Sequence, residues 1–363
     1  MSTRRPKILS IVGARPQFVK LAPLSRELRK HFHEVIVHTG QHYDPALSDQ
    51  FFKDLDIPQP DHHLGVGSAS HAVQTAGMLE GIEKRLLAEK PDLVIVFGDT
   101  NSTLAGALAA ARGPCPAVHI EAGLRSFNRR MPEEINRIVA DHICDHLFAP
   151  TANALRQLQR EGLGERSILT GDIMADALLD NLGKARRQSG ILEELELKED
   201  SFYLLTLHRP ANVDHRERLE SVLGALETLD RPVIWPIHPR ANKMVNRFGL
   251  QLPAGLQIIP PCGYLDFLRL ECAADKILTD SGGIQKEAYI LQKPCLTLRR
   301  ETEWTETVRA GWNRLLEPGD PDFGRIVGES APPDSHPDLF GKDVARQMTA
   351  AIQKILHSPG VGR

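Results

Sequence analysis

The chain has 363 residues, 41% hydrophobic and 25% charged, with Lys+Arg 44 against Asp+Glu 47 and a net charge of −3. Ordinary apolar content excludes a disordered chain, and near-balanced charge excludes a strongly basic nucleic-acid or membrane-surface binder. The five cysteines, Cys115, Cys144, Cys262, Cys272 and Cys295, are scattered without CxxC spacing and read as small buried hydrophobes in a reducing compartment. The apolar run Ile8 to Val12 is too short for a signal core, and no stretch approaches the ~20 apolar residues of a membrane span. The expectation is a soluble, cytoplasmic protein of two domains.

Short apolar runs ending in Gly, Asp or His recur, each followed by a helical pattern. Ile8 to Val12 leads through Gly13-Ala14-Arg15-Pro16 into a helix from Phe18 to Leu28. Val35 to Val37 leads into His38-Thr39-Gly40-Gln41-His42. Leu93 to Phe97 leads into Gly98-Asp99-Thr100 and an Ala-rich helix, Thr103 to Ala111; Ala117 to Ile120 leads into Glu121-Ala122-Gly123. Later, Tyr203 to Leu207 ends at His208-Arg209-Pro210, Val233 to Trp235 ends near His238, and Lys276 to Leu278 leads into Thr279-Asp280-Ser281-Gly282-Gly283 and a helix from Ile284. Such runs with intervening helices read as buried parallel strands of βαβ units. The charged stretch Gly183 to Asp200 marks a boundary, giving domains of about 1–180 and 181–340. A last helix, about Val344 to Leu356 within 341–363, can pack on either. The fold class is α/β: two Rossmann-like domains facing a cleft, with ligand expected beyond the carboxyl ends of the strands.

Three constellations carry chemistry. Ser281-Gly282-Gly283 opens a helix whose first N–H groups and dipole suit a phosphate, with Glu287, taken in its first turn, reaching ribose hydroxyls; the alternative is a plain glycine turn. Arg15 and Lys20 flank another strand-to-helix turn and can meet a diphosphate, or simply face solvent. Asp99 and Glu121 end neighbouring strands, and Glu133 opens a helix whose core face is read as Ile135, Ile138, Val139 and Ile143. Carboxylates grouped at one sheet edge suit proton abstraction and return. Alternatively, Asp99 caps the next helix and Glu133 pairs with Arg137 at i,i+4. His208 and His238 end strands and can donate to phosphate, act as acid or base, or be structural. His142 and His146 have i,i+4 spacing but lack the glutamate of an HExxH zinc site, and His62-His63 reads as a surface pair.

Taken together, Gly13-Ala-Arg-Pro with Lys20, Thr39-Gly-Gln-His42, Gly98-Asp-Thr100, His119-Ile-Glu-Ala-Gly-Leu-Arg125, Pro132-Glu-Glu-Ile-Asn-Arg137, Thr206-Leu-His-Arg209 and Asp280-Ser-Gly-Gly-Ile-Gln-Lys-Glu287 resemble the non-hydrolysing UDP-N-acetylglucosamine 2-epimerases. The motifs occur in the family's order from about Lys7 to Asn313. The resemblance implies a glycosyltransferase-B-like fold and a homodimer. It implies a metal-free, nicotinamide-free interconversion of UDP-GlcNAc and UDP-ManNAc through 2-acetamidoglucal, in the service of cell-envelope polysaccharide synthesis. By motif, Asp99, Glu121 and Glu133 are the acid/base carboxylates and His208 assists UDP departure. Arg15, Lys20, Arg137, Ser281, Gly282, Gly283 and Glu287 bind the UDP-sugar. Gln41, His42, Arg209, His238 and Trp304 are candidate sugar or regulatory contacts.

Two segments depart from the pattern. His208-Arg209-Pro210-Ala211-Asn212 stands where the family often has His-Arg-Arg-Glu-Asn, a region linked in bacterial members to activation by a second UDP-GlcNAc. Thr302-Glu303-Trp304-Thr305-Glu306 stands where Thr-Glu-Arg-Pro-Glu is common and looks more like the branch acting on UDP-2,3-diacetamido-2,3-dideoxyglucuronate. Trp304 can stack on a sugar or pack against Trp312, and Arg299 and Arg300 can pair with a sugar carboxylate. A glycosyltransferase of the same fold or a non-catalytic nucleotide-sugar sensor are the rival classes. Neither has a clear need for three grouped carboxylates.

Overall fold

The computed structural model describes residues 4–41 and 56–357. The chain divides into two compact units, 1–177 with 339–363, and 178–338. The division falls inside one helix, Ile173–Gln188, and the charged stretch after Gly183 is the end of that helix, a short helix at Ile191–Glu194 and a turn. The C-terminal helix, Val344–His357, packs on the first unit against the Arg15–His31 helix.

The first unit holds a seven-stranded parallel sheet: β1 (Lys7–Val12), β2 (His33–His38), β3 (His62–His63), β4 (Leu93–Phe97), β5 (Ala117–Ile120), β6 (His146–Ala149) and β7 (Ser167–Leu169), in the order β3-β2-β1-β4-β5-β6-β7. The second holds six parallel strands: β8 (Tyr203–Thr206), β9 (Val233–Pro236), β10 (Leu256–Ile259), β11 (Lys276–Thr279), β12 (Cys295–Thr297) and β13 (Asn313–Leu315), in the order β10-β9-β8-β11-β12-β13. Helices cover both faces, so the central strands are buried, and β4 is apolar and buried at every residue. The expected β4 and β5 coincide with the observed ones. The edge strands β3 and β7 and the short β10 and β13 lack a continuous apolar run. In β7 only Ile168 and Leu169 are apolar, too short a run to mark a strand.

In each sheet the strand order reverses once, between β1 and β4 and between β8 and β11. Loops at such a switch point leave in opposite directions and open a crevice beyond the strand ends. Gly13, Gly98 and Asp99 stand at the first switch point, and His208, Asp280 and Ser281 at the second. Gly123, three residues past the end of β5, has φ +84, and a Cβ there would collide with the carbonyl oxygen of Ala154 and with Leu158. Gly123→Ala is therefore expected to destabilise the first unit by about 2–4 kcal/mol, combining left-handed strain with overpacking. All three tryptophans, Trp235, Trp304 and Trp312, lie in the second unit. Urea unfolding should show the far-UV signal shifted to lower denaturant, with the tryptophan signal the less affected.

Candidate active site

The first unit's site begins where β4 and β5 end side by side, with Phe97 in register with Ile120. Gly98 has φ +63 and Glu121 φ +72, so the chain leaves both strands through the left-handed region. That conformation is strained for a glutamate, at roughly 1–3 kcal/mol, and turns its carboxylate back over Gly98. There it forms an ion pair with Lys20, whose side chain is buried. A Cβ on Gly98 would stand 3.1 Å from Lys20 Nζ and 3.2 Å from Glu121 Oε2, so the glycine leaves room for this pair.

Asp99 does not cap the next helix. Thr100 does, accepting from the Thr103 N–H. The Asp99 carboxylate instead accepts from Arg137 at 2.6 Å. Arg137 also pairs with Glu134 at 3.2 Å, not with Glu133 at i,i+4. Burial works against the Arg137 charge, but Asp99, Glu121 and Glu134 together outweigh it and raise its pKa. Glu133 is exposed in the first turn of the Pro132–Ile143 helix, one turn ahead of Arg137.

That helix packs with the opposite face to the one expected. Ile135, Ile138, Val139 and Ile143 are only half-buried, whereas Glu134, Asn136, Ala140 and Asp141 are buried. The buried polar groups are all bonded. Glu134 accepts from the Ser126 and Phe127 N–H groups at 2.8 and 2.9 Å. Asn136 donates to the Asp99 carbonyl at 2.9 Å. Asp141 pairs with His119 and Arg125, each at 2.7 Å, and accepts from Gly123 N at 3.0 Å. Burial pushes the Asp141 pKa up, but His119 and Arg125 hold it below its ordinary value. The other His119 nitrogen lies 2.7 Å from the Gly98 carbonyl, so both ring nitrogens face acceptors. Polar residues at helical spacing were thus an inward face, fixing the turns that carry Asp99 and Glu121.

Gln17, which sequence reasoning missed, accepts from Gly13 N at 2.8 Å and Ala14 N at 3.1 Å. It also donates to the Phe97 carbonyl at 2.8 Å. The backbone of the Gly13 turn is therefore occupied by its own helix; Gln at the third helical position was the legible sign. Arg15 opens that helix. Gln41 accepts from Ser102 N and Oγ at 3.0 and 2.8 Å and so ties the β2 end to the helix after Asp99. His42 lies outside the described residues.

In the second unit Asp280 is the organiser. It is fully buried and accepts from His208 N at 3.1 Å, Arg209 N at 3.1 Å and Asn212 Nδ2 at 3.0 Å, with His208 Nδ1 at 3.1 Å. Burial raises its pKa, but His208, Asn212 and Arg209 outweigh this and hold it below the ordinary aspartate value. The bond at Nδ1 turns the other nitrogen of the half-exposed His208 ring away from Asp280. His238 caps the Pro239–Phe248 helix, accepting from Arg240 N at 3.2 Å, with its ring 6.3 Å from that of His208. Burial and the neighbouring His208 and Arg240 lower its pKa.

Beside them the helix Gly282–Ile290 begins at Ser281, whose side chain makes no cap bond, leaving the first N–H groups directed outward at Gly282 and Gly283. Glu287 lies in the second turn of this helix, not the first, and is half-buried. Glu303 packs against Gly282 and pairs with Arg299 at 3.0 Å and Arg209 at 3.7 Å. Trp304 is buried and covers Lys286, whose ammonium lies 4.7 Å from its ring centre; Trp312 instead meets Tyr289 and His336. Arg300 is exposed and pairs with Glu317 at 3.4 Å. Asp99 and Glu121 are thus brought together on one unit, and His208, His238, Arg209, Ser281, Gly282 and Gly283 on the other.

Among the described residues no group of three or more His, Cys, Asp or Glu is placed to hold a metal ion. The i,i+4 pair is not one helix face, since the helix ends at Ile143 and His146 begins β6. His62 pairs with Glu89 at 2.8 Å and the His63 ring stacks on His38. No helix among the described residues is long and apolar enough to cross a membrane.

Residues 26–331 match the family model described as UDP-N-acetylglucosamine 2-epimerase. The chain belongs to this epimerase family. The epimerase, an isomerase, is 50% identical over 315 residues to the UDP-N-acetylglucosamine 2-epimerase homolog of Methanococcus maripaludis, covering 85% of this chain and 88% of that protein. It is 46% identical over 318 residues to the UDP-2,3-diacetamido-2,3-dideoxy-D-glucuronate 2-epimerase of Pseudomonas aeruginosa, covering 85% and 88%. The crystal structure of the Methanocaldococcus jannaschii UDP-GlcNAc 2-epimerase in complex with UDP-GlcNAc and UDP is similar with a TM-score of 0.84 at 42% identity, covering 96% of this chain and 99% of that one. The two α/β units of the epimerase are those of a glycosyltransferase-B-like fold.

The Asp280 network sets a pH-dependent expectation. Because the folded-state pKa is depressed, its stabilisation is complete above the ordinary aspartate range and is lost as pH falls through the lower folded value. Asp280→Ala should cost about 2–4 kcal/mol at pH 7, leaving the His208 and Arg209 N–H groups without this acceptor and the Asn212 amide with the Leu298 carbonyl alone. Unfolding followed by tryptophan fluorescence should show that difference shrinking in acid below about pH 4; a difference constant with pH would count against the ionised carboxylate.

Proposed function

We propose that this epimerase interconverts UDP-GlcNAc and UDP-ManNAc, with sugar proton transfer on the first unit and UDP held by the second. The observation that carries the reading is the pair of strand-end carboxylates, Asp99 gripped by Arg137 and Glu121 by Lys20, at the switch point of the first sheet. A base there removes the C2 proton as UDP leaves C1, giving 2-acetamidoglucal; protonation on the opposite face and re-addition of UDP give the epimer. Lys20 and Arg137 hold their partner carboxylates in place at the strand ends, within reach of one sugar ring. Glu133 completes the set by family motif.

Departure of UDP requires stabilised negative charge. In the second unit the outward N–H groups at Gly282 and Gly283, His208, and the Arg209 and Arg299 guanidiniums supply it, and Glu287 accepts from the ribose. Neither metal nor nicotinamide enters the scheme. The enzyme acts as a cytoplasmic homodimer and supplies cell-envelope polysaccharide synthesis.

Substrate choice turns on Arg299 and Arg300. Arg299, paired with Glu303, is assigned to the diphosphate, and exposed Arg300 pairs with Glu317, so neither is assigned to a sugar carboxylate. The neutral acetamido sugar is therefore preferred over the diacetamido-glucuronate. The ratio of kcat/KM for the two substrates tests this; a ~100-fold preference for the acidic sugar, about 2.7 kcal/mol, would reverse the assignment.

Two further outcomes test the chemistry. Product formed in D2O should carry deuterium at C2, and retention of the original hydrogen would exclude the mechanism. Asp99→Asn, Glu121→Gln and Glu133→Gln should each lower turnover by about 100-fold or more while UDP affinity changes little. Near-normal turnover in all three would refute the carboxylate assignment.

A further inference from the structure

A second carboxyl lies behind Glu287. Glu271, on the Tyr264–Ala273 helix, is 1% exposed, and its side chain hydrogen-bonds that of Glu287. Two carboxyls in direct contact cannot bond unless one carries a proton, and the one shut off from water holds it. The groups facing Glu271 offer no cation to change that choice. They are Glu287 on the neighbouring helix, Tyr264 and Cys272 on its own, Cys262 before it and Cys295 on β12. Burial pushes Cys262 up to about 11 and Cys295 up to about 12, and the Tyr264 phenol is raised as well, so none of the three supplies charge at neutral pH. Burial and Glu287 likewise raise the Glu271 pKa well above the ordinary glutamate value.

The remaining geometry agrees. Glu271 Oε1 has no hydrogen-bond partner among the described residues. An ionised carboxylate with an unpartnered oxygen in the core would be far costlier than the carbonyl of a neutral acid. The Glu271 O–H is then a donor directed at Glu287 from the core side.

We infer that Glu271 is a positioning residue: its O–H holds the Glu287 carboxylate in the orientation that accepts the ribose hydroxyls of the nucleotide. The inference rests on the reading of Glu287 as the ribose acceptor. It assigns to Glu271 no contact with substrate. Its effect belongs in nucleotide affinity and ribose discrimination, and kcat at saturating substrate is left unchanged.

The test compares binding of UDP, 2′-deoxy-UDP and 3′-deoxy-UDP by calorimetry to the full chain and to Glu271→Met, Glu271→Gln and Glu287→Gln. Glu271→Met removes the donor while relieving a buried polar group, so its melting temperature should hold or rise. Its preference for UDP over a deoxy nucleotide should nevertheless fall, and KM should rise about tenfold. Glu271→Gln keeps a donor in the same place and should retain the preference. Loss of preference in Glu287→Gln but full retention in Glu271→Met overturns the inference alone. Retention in both overturns the ribose reading beneath it. Infrared spectra provide a measurement that does not require the methionine variant to fold: wild type at neutral pH should show a protonated carboxylic C=O band that Glu271→Gln removes. Absence of that difference also overturns the inference.

Discussion

The pairing of Glu121 with Lys20 over Gly98 is the constraint on which the first unit's site depends. A glutamate at φ +72 sits in a backbone region it disfavours, and nothing local would keep it there. The surrounding sheet does. Gly98 N donates to the Ile120 carbonyl at 2.9 Å and Ala122 N to that of Phe148 at 3.0 Å, so the peptides on either side of Glu121 are pinned to neighbouring strands. With the backbone fixed, Lys20 meets the carboxylate on the far side of a glycine that has no Cβ to intervene. Strain kept in place by a rigid frame is common where a side chain must be held ready for reaction.

Both units use the same device one layer further back. Asp141 and Asp280 are both 0% exposed, and each binds a histidine together with backbone N–H groups at a strand end. A buried carboxylate with its lone pairs fully engaged is stable only if every partner is in place. Such groups therefore make the turns that follow β5 and β8 rigid. In the first unit the consequence is a fixed Gly98 carbonyl; in the second it is a fixed His208 ring.

The strand ends were legible because a buried parallel strand has to be apolar and has to stop at a polar turn. Asp99, Glu121, His208 and Ser281 all stand at such stops. The Pro132–Ile143 helix was misread for the opposite reason. Its isoleucines mark the wrong face, because Glu134, Asn136 and Asp141 find partners on the loops after β4 and β5 that periodicity cannot see. Lys20 shows the same limit. Its distance from Glu121 along the chain hides a pairing that only the β1-β4-β5 order creates. Trp304 was resolved by its neighbour Lys286, a cation placed over its ring and not a second aromatic.

The turn at Gly282 has a charge balance of its own. Burial and the neighbouring Arg299 lower the Arg209 pKa. Glu303, held below the ordinary glutamate pKa chiefly by Arg299 despite its burial, lies between them and keeps both in place. In the proposed reading a diphosphate at the Gly282 N–H groups brings the same sign of charge as Glu303 and takes over its partners. An arginine at position 304 would add a third cation to that group. Trp304 instead covers Lys286, and under the proposed function the positive charge at the turn is then matched to a diphosphate rather than to a diphosphate plus a sugar carboxylate.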